Sequence, residues 1–263
     1  MRKLFTLSVL AFAPIFVFGQ FEIKEVNNSI EKVHENLYAA RSEVSNRLYK
    51  TFIEDLKKTN NQQTLVVAQI DTLKWRDNLS FNEPYVKYYH QHPAYQNYPV
   101  VNVSYAGAQK FCEWLTIQYN ANPKRKFKKV IIRLPSEKEW TEAAQAGDTS
   151  AQYAWHGTAF FNSKGQAFAN FTNEIKDTLA FKEQMKTNAN RDVIAPIDSY
   201  WKNDFGIFNM CGNVAEMVSE KGIAKGGSWR NKSEELQIKS KYVYTGDAEN
   251  FIGFRYFLQV LEE

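Results

Sequence analysis

Apolar residues in this chain fall into a few segments whose spacing predicts local structure. Residues 4–18, LFTLSVLAFAPIFVF, form an apolar run behind Arg2-Lys3 and ahead of Gly19-Gln20. The run is short for a membrane span; a basic end, an apolar stretch and a small residue before a polar one make the pattern of a secretory signal peptide. A membrane anchor is the other reading of the same run, but the flank after Gln20 is amphipathic rather than basic. No cysteine follows the run directly, so lipid attachment is not indicated. The expectation is cleavage near Gly19, an N-terminal extension over residues 20–36 and one domain over residues 37–263. From Phe21 to about Glu35, Ile23, Val26, Ile30 and Val33 recur at helical spacing and predict a short helix able to dock.

Further on, Ser45 or Asn46 can cap a helix with Leu48, Phe52, Ile53 and Leu56 on one face. Residues 60–97 are polar and aromatic with few periodic runs, and read as surface loop. Pro99-Val100-Val101 predicts a short strand. Ser104 then precedes a helix in which Ala108, Phe111, Cys112 and Leu115 recur at i, i+3, i+4 and i+7. A strand over VIIR (Val130–Arg133) leads to Ser136 and Glu139, spaced as a capping box, and to a helix bearing Trp140, Ala143 and Ala144 that stops at Gly147. Beyond Gly147 the chain is rich in loops.

Composition changes this picture little. The chain has 33 basic and 29 acidic residues; removing Arg2 and Lys3 with the leader leaves 31 basic residues and a net charge near +2. That balance gives no support for binding nucleic acid or another polyanion. The basic run Asn122–Lys129, NPKRKFKK, reads as a solvated loop, with an anionic partner as the alternative. With 44% hydrophobic and 15% aromatic residues the chain has ample material for one large core. Only Cys112 and Cys211 occur. An exported protein could join them, but spacing does not bring them within bonding distance, and two buried free thiols are expected.

The most informative stretch is FGIFNMCGNVAEM (Phe205–Met217), followed by KGGSW (Lys225–Trp229) and GFR (Gly253–Arg255). Glycines set among aromatics beside an acid imply tight turns that expose backbone carbonyls. These segments resemble the formylglycine-generating-enzyme, or sulfatase-modifying-factor, family. EVSN (Glu43–Asn46), YPVVNVSYAGAQKFCEWL (Tyr98–Leu115), VIIRLPSEKEWTEAAQAG (Val130–Gly147), YAWHG (Tyr153–Gly157) and FANF (Phe168–Phe171) resemble further family motifs in the same order. The similarity runs from about Leu37 to Leu258. It implies an α+β, irregular C-type-lectin-like fold with two core helices, short strands and long loops.

What the resemblance implies for chemistry is divided. The family's oxidases use two closely spaced cysteines after GGS to bind copper and activate oxygen, and soft thiolates suit that metal. Here those places fall near Asn231 and Leu236, so no copper, no catalytic residue and no formylglycine-generating activity are expected. Many secreted members also bond the counterpart of Cys112 to a cysteine near Lys241, which is missing here. An iron-dependent branch uses histidines on an additional helical domain that this chain is too short to hold. His90 and His92 could ligate a metal with a third group, or belong to a polar loop.

For calcium, the resemblance assigns Asn213, the Val214 carbonyl and Glu216 to a structural ion, an oxygen set suited to a hard cation. Ala215-Glu216-Met217 lacks the two tryptophans usual at this turn, and the alternative is a buried Glu216–Arg255 pair. A second family site would use Asn170 with an acid near Asp192. Functionally the resemblance implies an exported, non-catalytic component of a cell-envelope complex in the periplasm or at the outer membrane, with envelope proteins as partners and homo-oligomers conceivable. HPAYQNYPVVNVSY (His92–Tyr105) is similar to the gliding-motility and type IX secretion members. The alternative is a lectin-like binding protein or an enzyme of another kind, with its ligand in a groove near Trp229, Arg230 and Asn231.

Overall fold

The final strand of the chain forms the middle of its first sheet. In the computed structural model, which describes residues 23–76, 82–172 and 193–263, β8 (Phe257–Glu262) is flanked antiparallel by β2 (Leu37–Ala40) and β3 (Lys129–Arg133). β1 (Ile30–His34) lies outside β2, giving the order β1-β2-β8-β3. Phe257, Leu258 and Val260 are buried on β8, so the two ends of the domain are sealed against each other.

The single helix predicted from Phe21 to about Glu35 does not form. α1 covers Ile23–Asn28 only, and the chain then extends into β1. Ser29 caps the change by donating its hydroxyl to the Glu25 carbonyl at 2.6 Å. Ile30 and Val33 are both buried even though they are three apart on a strand, because the β1–β2 register slips between Lys32 and His34. A bulge thus reproduces the inward spacing of a helix. The expected signal peptide lies outside the described residues.

α2 (Asn46–Lys58) begins at Ser45, whose side chain accepts from the Leu48 amide, and buries Tyr49, Phe52 and Leu56. α5 (Tyr105–Ala121) packs against it, and Phe111 makes edge contacts with Phe52 at 5.7 Å and Phe254 at 5.4 Å. Residues 60–97 are not simply loop. They include α3 (Gln62–Val67), α4 (Glu83–Tyr88) and 3-10 turns at Thr72–Trp75 and Pro93–Tyr95. Aromatic contact replaces a periodic stripe there: Trp75 stacks on Tyr85 and tilts against Tyr89, each at 4.9 Å. The strand predicted at Pro99–Val101 shrinks to one bridge between Ser45 and Pro99, although Val100 and Val101 are fully buried.

α6 (Glu137–Gln145) has the predicted capping box, Ser136 with Glu139, and ends in left-handed Ala146 before Gly147. Its Trp140, Ala143 and Ala144 enter a second part of the core with Phe257 and Met210. The remaining strands are short. β4 (Ala215–Met217), β5 (Ile223–Lys225), β6 (Lys241–Val243) and β7 (Ile252–Gly253) form a sheet in the order β6-β5-β4-β7, with β4 and β7 parallel. The fold is α+β with short strands joined by long loops, as the resemblance implies. Among the described residues no helix is long and apolar enough to cross a membrane.

Candidate functional site

The glycine-rich turn and the GGSW segment lie against each other. The Gly212 amide donates to the Gly226 carbonyl at 2.8 Å. Both glycines have positive φ, and a Cβ on either would sit 2.6 Å from a backbone oxygen, that of Asn170 for Gly212 and that of Met210 for Gly226. Only glycine permits this approach. It brings Asn213 and Glu216 into the interior beside Arg255.

Glu216 and Arg255 are both fully buried. The Arg255 Nε donates to Glu216 Oε2 at 2.6 Å, and Arg255 Nη2 donates to Oε1 in a two-pronged pair. Trp140 Nε1 adds a donor to Oε2 at 2.8 Å. Two further guanidinium N–H groups donate to backbone carbonyls, Ala40 from Nη1 and Phe208 from Nη2, each at 2.9 Å. This one arginine therefore ties β4 to the end of β2 and to the glycine-rich turn.

A second buried carboxyl, Glu43, shares the centre. Asn209 and Asn213 donate their side-chain amides to it at 3.1 and 2.9 Å. Burial pushes Glu43 up to about 8, Arg255 opposes that rise, and the charge of Glu216 adds to it. Glu43 is thus largely protonated at neutral pH, leaving one full ion pair in the centre.

These contacts decide the fit of the expected calcium ion. The Asn213 side-chain oxygen accepts from the Ala195 amide at 2.9 Å and from Asn170 Nδ2 at 3.3 Å, and its backbone carbonyl accepts from Trp229. Both Glu216 oxygens are taken by Arg255 and Trp140. The side-chain oxygens assigned to the ion already face protein donors, and Arg255 supplies the positive charge at Glu216. The residues do not fit calcium, and the buried pair is the arrangement adopted. Of the second expected ion site, Asp192 lies outside the described residues, and Asn170 donates to the Val193 carbonyl at 2.9 Å.

The histidine pair is also consumed locally. His90 is held between Asn46 Oδ1 at 3.0 Å and Asn102 Nδ2 at 3.4 Å, and burial drives it down to about 3, so it stays neutral. His92 caps a 3-10 turn by accepting from the Ala94 amide. Among the described residues no group of three His, Cys, Asp or Glu side chains could hold a metal ion. In the basic run Arg125 is turned onto the carbonyls of Asn122 and Lys128.

The positions that the resemblance aligns with the oxidases' thiols hold Asn231 and Leu236. Asn231 Oδ1 accepts from Ser228 Oγ at 2.6 Å, and its amide donates to Glu235 at 2.8 Å. Leu236 is completely buried. Arg230 lies 4.6 Å above the Phe251 ring and 6.0 Å from Trp229, so these two share a surface while Asn231 turns toward Glu235. Cys112 and Cys211 are free and buried in separate parts of the core. Sequence reasoning missed Glu43, Asn209 and Trp140 as members of the polar centre. The available signal was an acid within EVSN and an asparagine beside the glycine-rich turn, where Asn209 adopts positive φ.

Comparison with known proteins places the chain in a family. The family described as Sulfatase-modifying factor enzyme 1-like domain matches residues 16–260. The mouse Formylglycine-generating enzyme is 27% identical over 124 residues, 47% of this chain and 27% of that protein. The bovine Inactive C-alpha-formylglycine-generating enzyme 2 is 24% identical over 173 residues, 60% of this chain and 49% of that protein. The chain therefore spans about half or less of the length of these relatives. Among solved structures CarF is similar in fold, with a TM-score of 0.56, 20% identity and coverage of 85% of this chain and 86% of that one. The match over most of its length makes this chain a member of the sulfatase-modifying-factor domain family.

Proposed function

We propose that the protein is an exported, non-catalytic sulfatase-modifying-factor-like domain that serves as a structural or interaction component of a bacterial cell-envelope complex. The observation that carries the non-catalytic reading is the chemistry after Gly226-Gly227-Ser228. Asn231 is tied into a hydrogen-bonded turn and Leu236 is packed in the core, and neither offers a sulfur to copper. The two thiols that exist lie in other motifs and are buried, with burial pushing Cys211 up to about 12 and Cys112 above its ordinary range. Neither is a thiolate at neutral pH. One fold carries several functions, so loss of the reactive pair leaves a scaffold free for binding. The leader-like residues 1–19 support export, and the His92–Tyr105 segment supports the gliding-motility or type IX secretion type of complex.

The test is cross-linking in native cells followed by fractionation. The protein is expected in the envelope fraction, in a complex well above the size of its own 30.5 kDa chain. Recovery as a free monomer in the soluble fraction would contradict the assignment.

A further inference from the structure

A cleft of about 500 Å³ opens between the end of α6 and residues 201–204. It shares no lining residue with the Glu216–Arg255 centre or with the Trp229–Asn231 surface, and its argument is independent of the envelope role. Its walls are fixed. Buried Asn203 donates to the Ala143 carbonyl at 2.8 Å and accepts at Oδ1 from the amides of Phe205 and Ile207, fastening the 201–204 segment to the end of α6. Trp155 donates its indole N–H to the Ala159 carbonyl at 2.7 Å, which sets that ring's orientation.

Aromatic rings run in series along the cleft. Tyr153 stacks on Trp155 at 4.9 Å and 10°, and Trp155 stacks on Phe168 at 5.8 Å and 15°. Phe168 then meets Trp201 at 5.5 Å and 65°. Trp201 is 46% exposed, the most exposed tryptophan among the described residues, so a large part of its ring is open to solvent. Planar polar groups surround the rings: His156 contacts Asp204 at 3.2 Å, and Asp148 accepts from the amide and hydroxyl of Ser150 at 2.9 and 2.6 Å. The carboxylates of Asp148 and Asp204 outnumber the single ammonium of Lys202 in the lining, and their oxygens are acceptors for hydroxyl groups. A ligand with one apolar face for the rings and a hydroxyl-bearing edge for the carboxylates matches these walls.

We propose that this cleft binds a neutral saccharide, with the C–H face of a pyranose ring laid on Trp201 and its hydroxyls bonded to Asp204 and His156. The full chain would be titrated with neutral hexose and N-acetylhexosamine disaccharides, followed by tryptophan fluorescence and saturation-transfer NMR, and in parallel incubated with insoluble glycan polymers. At least one glycan is expected to bind saturably and without dependence on salt. Trp201→Ala is expected to weaken binding about tenfold while leaving the melting temperature unchanged, because the ring is half-exposed. Asp204→Asn should weaken it as well, and Trp229→Phe should not. Response only to polymer would identify a glycan surface and response to soluble disaccharide a free sugar; both support the assignment. Absence of binding to every glycan, equal affinity in Trp201→Ala, or salt-sensitive binding of tetramethylammonium in their place, as in an aromatic cation cage, would overturn it.

Discussion

Arg255 is the residue on which most of the interior polarity depends. It supplies two bonds to Glu216 and one each to the carbonyls of Ala40 and Phe208. Removing one partner of such a pair strands a buried charge, so Arg255→Met and Glu216→Gln are each expected to cost roughly 3–5 kcal/mol in chemical unfolding. Since Arg255 fills the cation's role, a chelator should leave the thermal melting curve where it was; a fall in melting temperature would show that a native-state ion contributes. Glu43 gives the centre a pH signature. Folding lifts its carboxyl from 4.5 to about 8, so the folded state keeps a proton that the unfolded chain releases between those values. That contribution is complete below about 4.5 and lost as pH rises through about 8. Unfolding midpoints should therefore fall over this window, and Glu43→Gln, neutral throughout, should flatten the slope. The thiols complete the residue scale: native protein should resist a thiol reagent, and unreduced denatured protein should release two equivalents, from Cys112 and Cys211.

Among the elements, those with a local signal were the ones read correctly. α2, α5 and α6 each carry a side-chain cap, at Ser45, Ser104 and Ser136, ahead of an apolar stripe, and both features depend only on neighbours in sequence. Glu139 of the capping box also accepts directly from Arg133, and that hydrogen bond holds the Glu139 carboxyl down to about 2. Stability from Glu139 is accordingly present above about 4.5 and lost as pH falls through about 2. Ser136→Ala should cost about 1 kcal/mol in unfolding free energy, and a neutral effect would mean the cap is dispensable to the domain. Residues 23–34 were misread because a bulged strand and a helix place Ile30 and Val33 inward alike. Residues 60–97 were misread because Trp75, Tyr85 and Tyr89 hold short helices together through contacts that have no fixed period in sequence.

At the scale of the molecule, the ordered motifs revealed the fold and the Glu216–Arg255 pair was already legible as the alternative to calcium, but the place of Glu43, Asn209 and Trp140 beside it required structure. Glu43 and Glu216 are 173 residues apart, from their positions 43 and 216, and meet only because β8 and β7 carry Arg255 between the two sheets. The oxygen set at Asn213 and Glu216 looked suited to calcium because sequence lists ligands without showing which donors already occupy them. The chemistry after GGS was legible in sequence, since the absence of a sulfur there does not depend on geometry. The most direct test of the account is to incubate the purified protein with a sulfatase-motif cysteine peptide, copper and oxygen, and to follow the peptide by mass spectrometry. No aldehyde above a no-protein control is expected, and formation of formylglycine would contradict the non-catalytic assignment.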